Sequence, residues 1–124
     1  MLSIDEINEL LDEIAEELPA EIFRDLNGGV SLLPDTKLSE YSHDGDLYTL
    51  GEYCRDQMGR YINIYYGSLC AVYPNAPRAK MRKRLKELLA HELTHHLESL
   101  AGERDLEIQD EIDLHEYKRR RGSD

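Results

Sequence analysis

The stretch Leu88-Leu89-Ala90-His91-Glu92-Leu93-Thr94-His95-His96-Leu97 combines a helical pattern with a metal-binding motif, H-E-x-x-H. His91 and His95 are four residues apart, so on a helix they lie one turn apart on the same face. Two imidazoles in that arrangement can share one Zn²⁺ ion. Glu92 lies about 100° further round the helix, close enough to reach a water on that ion. The stretch therefore predicts a zinc site with a general base beside it.

A long amphipathic helix is predicted around this motif, from Arg78 to about Leu100. Its apolar arc contains Met81, Leu85, Leu88, Leu89, Leu93, Leu97 and Leu100. His91 and His95 fall at the edge of the arc and Glu92 just inside it. An unpaired carboxylate there is costly to desolvate, so its position favours a metal site that would supply a partner. His96 points to the core side, where we expect a hydrogen-bonded core histidine rather than a ligand.

Gly102 is predicted to end this helix in the C′ position, where glycine is common. Catalytic zinc usually has three protein ligands and an open position for water, so a third ligand is expected where the chain turns back after Gly102. The candidates, from best to weakest, are Glu103 and Asp105, then Glu107 and Glu111, and last Glu98.

The rest of the chain predicts an α+β fold with a small mixed or antiparallel sheet. Ser3 and Glu6 form a capping box at the start of a helix that runs to about Leu18, and Pro19 opens a second short helical segment. Residues 30–33 read as a strand, and residues 47–54 and 61–66 read as a hairpin with Gly59 in the turn. We expect residues 61–66 to be an edge strand that could bind an extended substrate. His43, in the polar segment 35–46, is expected to be a solvated loop histidine.

Composition limits the classes of function. At 124 residues the chain is expected to be one domain, residues 1–124. Its net charge of -11 argues against nucleic-acid binding and against binding to anionic membranes. No apolar run has the roughly 18–20 residues that span a bilayer, and the acidic N-terminus is unlike a targeting peptide. Cys54 and Cys70 are expected to be thiols in a reducing cytoplasm.

The N-terminal half of the long helix is basic, which opposes the helix macrodipole. Its cations are Arg78, Lys80, Arg82, Lys83, Arg84 and Lys86. We expect acids after Gly102 to compensate them; these are Glu103, Asp105, Glu107, Asp110, Glu111, Asp113 and Glu116.

The pattern His91-Glu92-Leu93-Thr94-His95-His96, followed by Gly102-Glu103-Arg104-Asp105, resembles the small bacterial zincin-like metallopeptidases of the "possible zinc metallopeptidase" family. The resemblance implies a single compact zincin-like domain with the sheet packed against the H-E-x-x-H helix. It also implies peptidase activity, with His91, His95 and Asp105 as zinc ligands and Glu92 as general base. The substrate that it implies is a peptide or protein, with no further specificity.

Three alternatives remain open at the level of sequence. One is a regulatory H-E-x-x-H protease of the toxin–antitoxin or repressor type, although no DNA-binding module is visible. Another is a metal-dependent nuclease, which the acidic charge disfavours. The last is a binding module with a structural zinc ion, which would need four protein ligands and for which Cys54 and Cys70 are the available thiols. The oligomeric state is not predicted.

Overall fold

The computed structural model describes the backbone of residues 1–40 and 47–123, and the side chains of residues 1–40 and 47–103. The elements in chain order are α1 (Ile4–Glu17), a 3₁₀ turn (Ala20–Phe23), β1 (Gly29–Leu33), β2 (Lys37–Leu38), β3 (Tyr48–Thr49), β4 (Gly51–Asp56), β5 (Gly59–Tyr65), α2 (Tyr66–Val72) and α3 (Arg78–Ser123). The predicted α+β class is confirmed. His43 lies outside the described residues.

Helix α1 begins where its capping box predicts. The Ser3 hydroxyl accepts the backbone N–H of Glu6, and the Glu6 carboxylate accepts the backbone N–H of Ser3. Both bonds satisfy amide groups that a helix N-terminus leaves without a partner. The helical segment predicted from Pro19 is shorter than expected. It consists of one 3₁₀ turn, Ala20–Phe23.

In the described part of the chain, the five strands form two small sheets. The three-stranded sheet has the order β1-β5-β4, and the two-stranded sheet pairs β2 with β3. Strand β5 runs parallel to β1, with Gly29 opposite Tyr61, and antiparallel to β4, with Tyr53 opposite Ile62. The prediction that residues 61–66 form an edge strand is therefore wrong. Strand β5 is central, Tyr66 already belongs to α2, and the edge strand on the side of α3 is β4.

The predicted hairpin is present, and its turn is supported by a side chain from a distant loop. Gly59 has a φ of 122°, in the region that favours glycine. The Asn27 carboxamide accepts the backbone N–H of Arg60 and donates to the carbonyl oxygen of Met58. Residues 47–54 do not form one strand, because β3 and β4 belong to different sheets and separate at Leu50.

The core lies between one face of the three-stranded sheet, α1 and α3. Its most buried members are Ile7, Leu10, Ile14, Ile62, Ile64, Leu69, Met81, Leu85, Leu89 and Leu93. The predicted apolar arc of α3 is thus confirmed over its middle. Leu97 is an exception, with 42% of its surface exposed. The buried apolar stripe of α3 therefore narrows directly after His96.

Acids of α1 pair with the basic half of α3. Arg78 and Arg82 bind Glu13, and Arg82 and Lys86 bind Glu17. Of the acids after Gly102 that we expected to compensate these cations, Glu103 binds Arg55 and Arg60 instead, and the side chains of the others lie outside the described residues. The pattern of charges in the sequence could not show that α1 lies alongside α3, which is a tertiary contact.

Helix α3 continues through Gly102 to Ser123, so the predicted helix end and chain reversal at Gly102 are wrong. A Cβ placed on Gly102 would have no heavy atom within 4 Å, and the residue has no positive φ. The preference of glycine for helix ends is statistical, and here the following residues continue the helix.

We expect Gly102→Ala to raise the free energy of unfolding by about 0.5–1 kcal/mol, because alanine favours a helix interior. Gly59→Ala, the contrasting variant, should lower it by about 1–3 kcal/mol, because its φ is positive and its Cβ would collide with the Asn27 side chain. Urea unfolding of both variants measures the difference. A loss of stability in Gly102→Ala would contradict a continuous helix.

Over the part of the chain described, residues 1–40 and 47–123, no helix is both long enough and apolar enough to cross a lipid bilayer.

Candidate active site

The two motif histidines point to one place on the exposed side of α3. Nε2 of His91 lies 3.1 Å from Nε2 of His95, with the rings nearly perpendicular. Both residues are exposed, whereas Leu89 and Leu93 of the same turns are buried. The helix thus carries the histidine pair at the border between core and solvent, as predicted.

The separation of the two nitrogens fits a shared zinc ion. Zinc binds imidazole nitrogen at about 2.0–2.1 Å with tetrahedral angles, which places two such nitrogens about 3.3 Å apart. The observed 3.1 Å is close to that value. A hydrogen bond between the rings also has this length, but it requires one protonated and one bare Nε2. A metal ion would use the lone pairs of both nitrogens.

Glu92 is the buried acid of the motif, with 6% of its surface exposed. Burial raises the pKa of its carboxyl group, while positive charge on His91 or His95 and a hydrogen bond from the backbone of Tyr53 oppose the rise. A carboxyl group with a raised pKa holds a proton more readily than an ordinary surface glutamate. That property suits a group that accepts a proton and then releases it.

An open cleft with a volume of about 570 Å³ lies between α3 and the edge strand β4. It is lined by Gly51, Glu52, Tyr53, Glu92, His95, Glu98 and Ser99. A Cβ on Gly51 would crowd side chains of β5 and α3, so glycine at this position allows the strand to approach the helix. Glu92 and His95 are therefore accessible to a molecule in the cleft.

A hydrogen-bonded carboxylate on β4 was not anticipated from the sequence. Glu52 accepts a hydrogen bond from the Tyr65 hydroxyl and pairs with Lys37 Nζ at 2.5 Å. Burial pushes the pKa of Glu52 upward, but the bonds from Lys37 and Tyr65 outweigh it and leave the pKa lowered. Glu52 therefore stays ionised in the cleft. No motif could have identified it, because its partners come from β2 and β5.

His96 is fully buried, so the predicted core role is confirmed. Its Nδ1 lies 2.9 Å from the Tyr53 hydroxyl, and its Nε2 lies 2.7 Å from the carbonyl oxygen of Arg24. Both ring nitrogens are thus engaged within the protein interior. They bond to Tyr53 and Arg24 rather than to the pair formed by His91 and His95.

Among the described side chains, none completes a three-ligand group with His91 and His95. Over residues 1–40 and 47–103, no three side chains of His, Cys, Asp or Glu converge as a metal site. Glu103, one of the two leading candidates, instead binds Arg60 and lies 2.9 Å from Arg55. Glu98 is exposed and lies 4.0 Å from Nδ1 of His95. The side chains of Asp105, Glu107 and Glu111 lie outside the described residues, so their assignment stays a prediction.

We expect Glu103→Gln to leave zinc affinity within about twofold of wild type, because both carboxylate oxygens are already bound by arginines. Its free energy of unfolding should fall by no more than about 1 kcal/mol, since these ion pairs are partly exposed. Asp105→Asn is the companion variant and should weaken zinc binding. Isothermal titration of the metal-free proteins with Zn²⁺ separates the two. A large loss of zinc affinity in Glu103→Gln, with no loss in Asp105→Asn, would make Glu103 rather than Asp105 the third ligand.

The two cysteines are free thiols on separate elements, with Cys54 on β4 and Cys70 on α2. Neither belongs to a cluster of three metal-binding side chains within residues 1–40 and 47–103. A four-ligand structural site built from these cysteines therefore has no support in this part of the chain.

Comparison with known proteins gives a structural relative. No protein-family model and no curated protein matches the chain. A conserved hypothetical protein from Thermo thermophilus is similar in structure, with a TM-score of 0.70 and 32% sequence identity. The alignment covers 82% of this chain and 99% of that protein. That protein is itself described as hypothetical, and its description gives no activity.

Proposed function

The chain belongs to the same family as the conserved hypothetical protein from Thermo thermophilus, and we propose that it is a zinc-dependent metallopeptidase with a zincin-like domain. One observation carries the proposal. Nε2 of His91 and Nε2 of His95 converge to 3.1 Å beside a buried glutamate that faces an open cleft. A purely structural helix has no need of a buried carboxylate between two exposed imidazoles.

His91 and His95 are the residues that would hold the metal. A bound zinc ion would supply Lewis acidity, which lowers the pKa of water towards neutrality and polarises a carbonyl group. Glu92 takes the proton of the attacking water on a carboxylate oxygen. Glu92 then delivers that proton to the nitrogen of the leaving amine. Its raised pKa suits both halves of this transfer.

The substrate would lie in the cleft along β4 rather than along β5. Strand β4 is the edge of the three-stranded sheet, so its outward backbone groups are available for an extended peptide. Glu92 and His95 line the same cleft, which would place a scissile bond beside the general base. The substrate class that fits is therefore an extended peptide or an exposed protein segment.

We place the third ligand at Asp105, after the pattern that the sequence resembles. Because α3 is continuous through Gly102, Asp105 lies about 15 Å further along the helix axis than His95. Ligation by Asp105 therefore requires the chain to bend between the two residues when zinc binds. We also propose a cytoplasmic location, in keeping with two free thiols.

The direct test is a zinc titration of metal-free wild-type protein, followed by incubation of the loaded protein with a proteome-derived peptide library. We expect one zinc ion per chain. We also expect new peptide termini, read by mass spectrometry, that do not form when a chelator is present from the start. Cleavage that persists without bound metal would refute the zinc mechanism. Failure of the correctly folded protein to bind zinc would refute the site itself. Single-stranded RNA, added in parallel, should remain intact, whereas its cleavage would favour a nuclease.

A further inference from the structure

Tyr53 of β4 is held at two points by residues one turn apart on α3. Its hydroxyl lies 2.9 Å from Nδ1 of His96. Tyr53 also lines the cleft together with Glu92, where its backbone N–H opposes the rise in the pKa of the Glu92 carboxyl group. Glu92 and His96 are four residues apart and so lie on the same side of the helix. One residue of the edge strand is therefore clamped between the proposed general base and a buried imidazole.

The hydrogen-bond pattern assigns the proton on His96. The carbonyl oxygen of Arg24, 2.7 Å from Nε2, can only accept, so Nε2 carries hydrogen and donates. In the neutral ring Nδ1 is then the acceptor, and the Tyr53 hydroxyl donates to it. Both nitrogens of a fully buried ring are satisfied in this way, at no cost of burying an unpaired polar atom.

These two hydrogen bonds link three parts of the structure. They connect the carbonyl oxygen of Arg24, directly after the 3₁₀ turn, through His96 of α3 to the hydroxyl of Tyr53 in β4. The rings of Tyr53 and His96 are also in contact, with centroids 5.3 Å apart and planes tilted by 56°. The hydroxyl bond and the ring contact thus join this part of β4 to α3 beside Glu92.

We propose that His96 is a positioning residue for Glu92 and acts through Tyr53. The catalytic part of the inference rests on the proposed peptidase function, whereas the coupling between His96, Tyr53 and Glu92 does not. Without the bond from the Tyr53 hydroxyl, β4 is no longer fixed against α3 at this point. The N–H that orients the Glu92 carboxylate then loses its fixed position. Supporting residues of this kind typically contribute 10–100-fold to activity or metal affinity.

The kinetic test uses Tyr53→Phe, which removes only the hydroxyl group. We expect kcat to fall about tenfold or more, with KM and zinc affinity within about twofold of wild type. His96→Asn keeps an acceptor near Nδ1, whereas His96→Gln keeps a donor near Nε2. If the link to Tyr53 is what matters, His96→Asn retains more of kcat than His96→Gln. Equal kcat in Tyr53→Phe and wild type, or the reverse order of the two His96 variants, would overturn the proposal.

A core substitution remote from the cleft separates positioning from general destabilisation. Ile14→Val, in α1, should cost about 0.5–1.5 kcal/mol and leave kcat unchanged. A loss of kcat in Ile14→Val equal to that in Tyr53→Phe would assign the effect to stability alone and overturn the positioning role.

A second measurement does not need activity. In metal-free protein, the amide proton resonance of residue 53 should shift in Glu92→Gln, in Tyr53→Phe and in His96→Gln, but remain near the wild-type position in Ile14→Val. Unchanged resonances in Tyr53→Phe and His96→Gln would disprove the coupling. If wild-type protein shows no hydrolysis, the proposed function fails while these shifts still decide whether His96 acts on Glu92.

Discussion

Glu92→Gln is expected to retain zinc and to lower kcat by about 10²–10⁴-fold, the range attributed to general acid–base catalysis. The carboxamide keeps the size of the side chain and can still accept the hydrogen bond from the Tyr53 backbone, but it cannot take up the proton of water. Zinc affinity should change little, because the two imidazoles that we assign as ligands are untouched. Steady-state kinetics with a library-derived peptide, together with metal analysis, measures both effects.

Glu98→Gln is the matched control, since Glu98 lines the same cleft but is exposed and has no assigned role. Its kcat should remain within about twofold of wild type, because a solvated carboxylate contributes little. Equal losses in the two variants would mean that cleft charge, rather than a general base, supports the activity. Full activity in Glu92→Gln would exclude the mechanism.

Metal-free Glu92→Gln should also be as stable as wild type or more stable at pH 7. Burial raises the pKa of Glu92 above that of the unfolded chain, so its protonated form is favoured in the folded state. The contribution of this group to stability is therefore greatest at low pH and declines as the pH rises through the folded-state pKa. The amide removes that decline, which urea unfolding of both proteins over a series of pH values up to neutral would detect.

His91→Ala and His95→Ala are each expected to lower zinc affinity by more than about 100-fold, because even supporting residues of metal sites contribute about 10–100-fold. Each deletion leaves a single imidazole of the pair. Both side chains are exposed, so the free energy of unfolding of the metal-free proteins should stay within about 0.5 kcal/mol of wild type. Isothermal titration with Zn²⁺ and urea unfolding give the two quantities.

Thr94→Ala serves as the control on the same exposed turn. Its hydroxyl bonds the backbone carbonyl of Ala90, 2.8 Å away, so zinc affinity should be unchanged. If either histidine variant bound zinc as tightly as wild type, the shared site would be wrong. If Thr94→Ala lost zinc as well, distortion of the helix would explain the loss.

The local elements were predictable from the sequence because their signals are local. Ser3 and Glu6 determine a helix start within four residues, and Gly59 supplies a turn that few other residues accept. The order of the strands was not predictable. Residues 61–66 alternate like a half-buried strand, and only the parallel partner β1 makes that strand central.

In the candidate site, sequence could predict the placement of side chains only for residues that lie on one helix. His91, Glu92, His95 and His96 lie where helical periodicity places them, with the pair exposed and the other two buried. The roles of Tyr53 and Glu52 depend on how β4 packs against α3, which the spacing of residues along the chain does not encode. The expected helix end at Gly102 failed because a glycine only permits a turn and does not require one.

The two walls of the cleft come from a continuous part of the chain, which bears on the order in which the molecule folds. The β4–β5 hairpin pairs residues that are close in sequence, and α3 follows after one short helix. Strand β1, by contrast, joins Gly29 to Tyr61 across β2, β3 and β4, and closing so long a loop costs more chain entropy. We therefore expect the hairpin and α3 to associate before β1 docks. Weakened β1 packing should then accelerate unfolding more than it slows folding.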